Sequence, residues 1–153
     1  MYRIRTTPMS ESPKAGSPDL EISSPIPNTP AQPSAQVTRA TALARAAWTS
    51  ERIGLHHRAR ELYERALAEL GQVSNDGPWE LVGSIRNNLA SLLRYTGQTE
   101  LAEAIFVSTI NALEQVPLPE AQQLRKQIIK NLADLYHHTG FTEQATELLT
   151  THA

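Results

Sequence analysis

The chain contains no cysteine. That excludes a disulfide framework, thiolate chemistry and any zinc site built on cysteine. Its opening residues, Met1-Tyr2-Arg3-Ile4-Arg5, are not followed by an apolar stretch, so they do not read as a secretory signal. No segment approaches the roughly 20 apolar residues that a membrane-spanning helix needs. Charge of one sign is not in excess either. The formal net charge is −2, unlike the basic footprint of a nucleic-acid binder. Glycine-rich phosphate loops and nucleophile elbows are missing, and the carboxylates are scattered rather than paired. The histidine pairs His56-His57 and His137-His138 diverge by about 100° on a helix. Neither has a third ligand at i+4, so no metal is expected. These absences lead to the expectation of an intracellular, cytoplasmic protein, not an enzyme, with no cofactor, no membrane span and no nucleic-acid partner.

What is present is unevenly distributed. Seven prolines (Pro8, Pro13, Pro18, Pro25, Pro27, Pro30 and Pro33) fall in residues 1–36, where apolar clusters are as short as Leu20-Glu21-Ile22. Such a segment buries too little surface to offset its ordering entropy. Residues 1–36 therefore read as a disordered, partly polyproline-II tail. The tail holds Thr7-Pro8, Ser12-Pro13, Ser17-Pro18, Ser24-Pro25 and Thr29-Pro30, and two overlapping Pro-x-x-Pro patterns. These fit proline-directed phosphorylation or a proline-reading domain, but any such tail shows these dipeptides by chance, and that is the favoured reading.

Beyond the tail, a glycine returns every 43 residues: Gly54, Gly97 and Gly140. Ala47, Ala90 and Ala133 precede each glycine by the same distance; Ala59, Ala102 and Ala145 follow at the same distance, with Tyr63, Phe106 and Leu149 one helical turn later. A period in the 20–50 range marks stacked copies of one supersecondary unit. Apolar residues at helical spacing line each half: Ala59, Leu62, Tyr63, Ala66, Leu67 and Leu70 in one second helix; Val82, Ile85, Leu89, Leu92 and Leu93 in one first helix. The glycine caps the first helix in the left-handed conformation. Thr99 and Thr142 are placed to cap the second helix, and Pro78 and Pro119 to open helices. The alanines fit where two helices come closest. Arg60–Glu64 and Glu61–Arg65 read as ion pairs on a solvated face.

These residues resemble the tetratricopeptide repeat. The segments that carry the likeness are Arg86-x-x-Leu89-Ala90-x-x-Leu93, Gly97, Ala102-x-x-x-Phe106 and Ile129-x-x-Leu132-Ala133-x-x-Tyr136, Gly140, Ala145-x-x-x-Leu149. A weaker copy runs Leu43-x-x-Ala46-Ala47-x-x-Ser50, Gly54, Ala59-x-x-x-Tyr63. The longer unit, with Asn87-Asn88-Leu89-Ala90 and Asn131-Leu132-Ala133, is similar to the kinesin light chain type. The fold expected is all-α: a right-handed superhelical solenoid of about three helix pairs, units 37–73, 77–116 and 119–153, behind the disordered tail.

In a stack of this type the first helix of each pair lines a concave groove. Arg45, Trp48 and Glu51 are placed there, with Ser84, Asn87, Asn88, Ser91 and Arg94, and Gln127, Lys130, Asn131, Asp134 and His137. The resemblance implies that the asparagines meet the main chain of an extended peptide, since an amide both donates and accepts. For Asn88 and Asn131 the alternative is a bond to a neighbouring helix that holds the repeat angle. The third unit offers no polar capping helix after it, so Phe141, Leu148 and Leu149 are expected to be open as an association edge. The function expected is an adaptor or scaffold that binds another protein or a peptide segment. The alternative is a structural assembly unit, homo-oligomeric or capping a larger complex.

Overall fold

A computed structural model of the chain describes residues 33–72, 74 and 76–152. The expected tail lies outside them as far as residue 32. Six helices form: α1 (Ala35–Arg52), α2 (His56–Leu70), α3 (Trp79–Tyr95), α4 (Thr99–Glu114), α5 (Pro119–His138) and α6 (Thr142–Thr151). Among the described residues there is no strand. Helix α1 begins before residue 37 because Ser34 caps it, its Oγ accepting the Val37 N–H at 3.3 Å.

The three helix pairs close in one way. Gly54, Gly97 and Gly140 have φ of +79°, +80° and +88°. The Gly54 N–H donates to the Glu51 carbonyl at 3.0 Å and the Leu55 N–H to the Ser50 carbonyl at 2.8 Å. Gly97 and Gln98 repeat this on Arg94 and Leu93, and Gly140 and Phe141 on His137 and Tyr136. The doubled bond takes up carbonyls that a helix end otherwise leaves unpaired. A Cβ at any of the three glycines would meet nothing within 4 Å. The demand for glycine is therefore one of backbone conformation, not of space.

The turn also corrects the expected caps. Thr99 and Thr142 are the first helical residues, and the caps are Gln98 and Phe141, with no side-chain cap bond. The residue directly after each glycine already serves as cap: the carbonyls of Leu55, Gln98 and Phe141 accept from Ala59, Ala102 and Ala145 at 2.9, 3.0 and 3.1 Å. Threonine arrives one position too late to do so. Pro119 opens α5 at its first position, and Pro78 stands one place earlier, as the cap residue of α3. Neither position needs the missing N–H.

Packing follows the small residues. Ala47, Ala59, Ala90, Ala102 and Ala145 are fully buried and Ala133 nearly so, so the two backbones of each pair approach closely at the turn. Tyr63 and Phe106, also fully buried, fill the wider space one turn beyond. Each helix packs on the next in sequence. The odd helices also touch in order, α1 with α3 and α3 with α5, whereas α2 does not touch α4, nor α4 α6. Where α5 meets α3, Gly83 leaves no room for a side chain: a Cβ there would lie 2.8 Å from Leu124 Cδ2. The end of α4 is tied to α5 by Gln122, whose Nε2 donates to the Leu113 and Val116 carbonyls at 3.2 and 2.9 Å.

Two substitutions test this account by urea denaturation. Ala102→Leu overpacks the closest helix contact and is expected to cost about 1–3 kcal/mol. Gly97→Ala keeps the space but forces a Cβ into the left-handed region, with an expected loss of about 1–2 kcal/mol. A neutral result for the first would displace the alanines from the helix contact.

Candidate functional site

The odd helices carry most of the cationic charge. Helices α1, α3 and α5 hold eight lysines and arginines against four carboxylates, whereas α2, α4 and α6 hold three against eight. Near-neutral composition thus conceals a separation by helix. Arg45, Arg52, Arg94, Lys126 and Lys130 have no carboxylate within 4.0 Å among the described residues. The other cations on these helices are engaged. Arg39 meets Glu69 at 2.9 Å, Arg125 meets Glu114 at 3.2 Å, and Arg86 Nη2 donates to Gln72 Oε1 at 2.7 Å. Burial pushes the Arg86 guanidinium below the usual arginine range.

The asparagines divide between roles. Asn131 Nδ2 donates to Asn87 Oδ1 at 2.7 Å, a direct bond from α5 to α3. Gln127 Nε2 donates in turn to Asn131 Oδ1 at 3.3 Å. Asn131 therefore holds the angle between neighbouring first helices. Asn87, placed in the groove by the sequence, is its partner. Asn87 keeps its own amide N–H groups for another acceptor, with no partner among the described residues. Asn88 turns to α2, where it faces the Tyr63 hydroxyl. Glu51 is likewise occupied, its Oε2 accepting from Tyr63 Oη at 3.1 Å. Asn88 and Glu51, both half-buried, each meet the polar end that Tyr63 brings into the core.

The remaining groove candidates stay accessible. Arg45, Lys130, Asp134 and His137 are exposed; Ser91 and Arg94 are half-buried. Trp48 is 51% exposed, with the Arg52 guanidinium 4.8 Å from its ring centre. That stacking makes Arg52 part of the face, although its helical position alone did not mark it. His138 Nδ1 lies 2.6 Å from the Asp134 carbonyl oxygen. His56 packs against Tyr95, ring centres 5.2 Å apart, and His57 lies 3.6 Å from Glu61. The Arg60–Glu64 pair forms at 2.7 Å, but Glu61 meets His57 in place of Arg65. Arg60 also donates to Gln98 Oε1 at 2.6 Å, tying α2 to the following turn.

The edge at α6 differs from expectation. Leu148 packs against the core and is only half-exposed, so it is not an open residue. It falls on the α5-facing side of α6, together with Ala145. Phe141 is 53% and Leu149 39% exposed, and the Phe141 ring rests edge-on to Tyr136 at 6.4 Å. The free side of α6 is polar: Thr142, Glu143, Thr146, Glu147, Thr150 and Thr151 line one shallow hollow.

Two tyrosines join carboxylates across helices. Tyr136 Oη donates to Glu103 Oε1 at 2.7 Å, which links α5 to α4. Burial, then the hydrogen bond and charge of Glu103, push Tyr136 up to about 12. Tyr63 is raised further, first by burial and then by Glu51. A raised folded pKa means that the neutral phenol stabilises the fold fully below the ordinary value of 10.0 and loses that contribution as pH climbs toward 12. Melting temperature is thus expected to fall above about pH 10 and Tyr136→Phe to flatten part of that fall. In a double-mutant cycle, Asn87→Ala and Asn131→Ala should show a coupling of about 0.5–1.5 kcal/mol; additive losses would remove the bond from the inter-helix account. No protein-family model, curated protein or solved structure matches the chain.

Proposed function

We propose that the chain is a non-enzymatic adaptor of the tetratricopeptide type, which holds a peptide segment or partner protein along the face formed by α1, α3 and α5. In this reading the three helix pairs stack as a right-handed superhelical solenoid, with the odd helices on the concave side. Its support is the contact pattern: odd helices touch one another while even helices do not, as expected where a stack curves inward on the odd side. The observation that carries the functional reading is the set of unpaired groups on that face. Arg45, Arg94 and Lys130 have no carboxylate partner among the described residues, Asn87 has amide donors to spare, and Trp48 offers a flat apolar surface. An unpaired cation on a surface rich in amides favours a ligand with carboxylates and exposed main chain.

The partner is therefore a protein or peptide with acidic groups. Self-association through α6 keeps Phe141 and Leu149 as exposed apolar residues, but Leu148 packs partly against the core and one side of α6 carries threonine and glutamate, which gives it less support.

Retention of proteins from a cell lysate on the immobilised full chain tests the reading. Asn87 is a poor probe because its loss also breaks the bond to Asn131. An Arg45→Ala, Arg94→Ala and Lys130→Ala variant keeps the core intact. Partners held by the unmodified chain are expected to be weakened by about 1–3 kcal/mol, with stronger loss at high salt. Unchanged retention by a fully helical variant would move binding off the odd-helix face.

A further inference from the structure

The repeat register exposes a second surface. In the first unit, Ala40, Tyr63 and Ala66 are fully buried; in the second, the matching residues are Gly83, Phe106 and Thr109, of which Phe106 and Thr109 are fully buried and Gly83 is also buried. These positions form a seat for the next helix. At Gly83 the occupant is seen directly, because Leu124 of α5 fills the space a Cβ would take. In the third unit the same positions are Lys126, Leu149 and His152. Here Lys126 is exposed, His152 half-buried and Leu149 39% exposed. With Ile129 and Lys130 they line a hollow of about 270 Å³ between α5 and α6.

The chemistry of this seat differs from that of the two filled ones. Small residues have given way to an ammonium and an imidazole beside Leu149, the accessible apolar side chain, above Ile129, which is already buried. A helix laid here as α5 lies on α3 would cover the Lys126 stem and strip water from its charge, which is costly without a counter-charge. No carboxylate pairs with Lys126 or Lys130 among the described residues. Glu143 lines a hollow on the other side of α6, and Glu147 lines both that hollow and a second one that reaches His152. A second copy would offer α1, which has no preceding helix among the described residues. That helix bears Arg39, Arg45 and Arg52 against Glu51 alone, so like charges would meet.

We infer that the seat between α5 and α6 receives an acidic amphipathic helix of a partner protein, with apolar side chains on Leu149 and carboxylates on Lys126 and His152. The surface meets the α1–α3–α5 face at Lys130, which lines both. Arg45 and Arg94 do not line the hollow, so their replacement leaves it in place.

Fluorescence anisotropy on the full chain tests this with three labelled helical peptides of one apolar pattern, their flanking positions all Glu, all Gln or all Lys. The Glu probe is expected to bind, and Lys126→Glu to weaken it by about tenfold while admitting the Lys probe. That exchange of preference is not what a merely misfolded variant would give. Amide NMR shifts should gather at Ile129, Leu149 and His152. Equal binding of the Glu and Gln probes, indifference to Lys126→Glu, shifts confined to Arg45 and Arg94, or no binding would overturn the inference. So would tighter binding of a single-stranded RNA oligomer, or a concentration-dependent mass that Leu149→Gln returns to monomer.

Discussion

The left-handed glycine between the two helices of each pair is the constraint on which the rest depends. It reverses the chain over three residues and ties off two helix carbonyls in the same step. Because the reversal is so short, the helices leave it side by side, and buried alanines stand on both sides. Because the carbonyl after the glycine already accepts the first bond of the next helix, no side-chain cap is needed there. Turn, cap and contact are one arrangement, repeated with φ values that differ by less than ten degrees.

What distinguishes the pairs is how their polar groups are used between helices. Tyr63 reaches back to Glu51 within its own pair, while Tyr136 reaches to Glu103 in the pair before it. Asn131 and Asn87 join the first helices directly. These bonds order the stack and remove groups from the surface. Only some of the cations enter such bonds, as Arg39 does with Glu69 and Arg125 with Glu114. Several lie on the odd helices with no carboxylate partner among the described residues, while most carboxylates fall on the even helices. The resulting separation of charge is a property of the packed chain, invisible in a net charge of −2.

The two proposed surfaces draw on the same shortage of carboxylates in different ways. On the odd-helix face, amides and a half-exposed tryptophan accompany the cations, which suits main chain and acidic side chains together. Between α5 and α6 the cations stand over an apolar floor, which suits an amphipathic helix. A small residue at Gly83 and a lysine at Lys126 occupy one repeat position with opposite consequences: one admits a neighbour's leucine, the other demands a neighbour's carboxylate.

Much of the fold was legible in the order of residues, because helix period, glycine turns and close alanine contacts are local or strictly repeated. The helix pairs, the buried alanines and the core roles of Tyr63 and Phe106 are determined in this way. Side-chain partners across helices were not legible. Whether Asn131 faces a ligand or Asn87, whether Glu51 turns outward or toward Tyr63, and whether Leu148 is open all depend on the angle and distance between helices. The repeat register, applied to positions 40, 83 and 126, could have marked Lys126 as the exception. That no described residue covers its seat is a tertiary fact, since only packing decides which face of a helix a neighbour reaches.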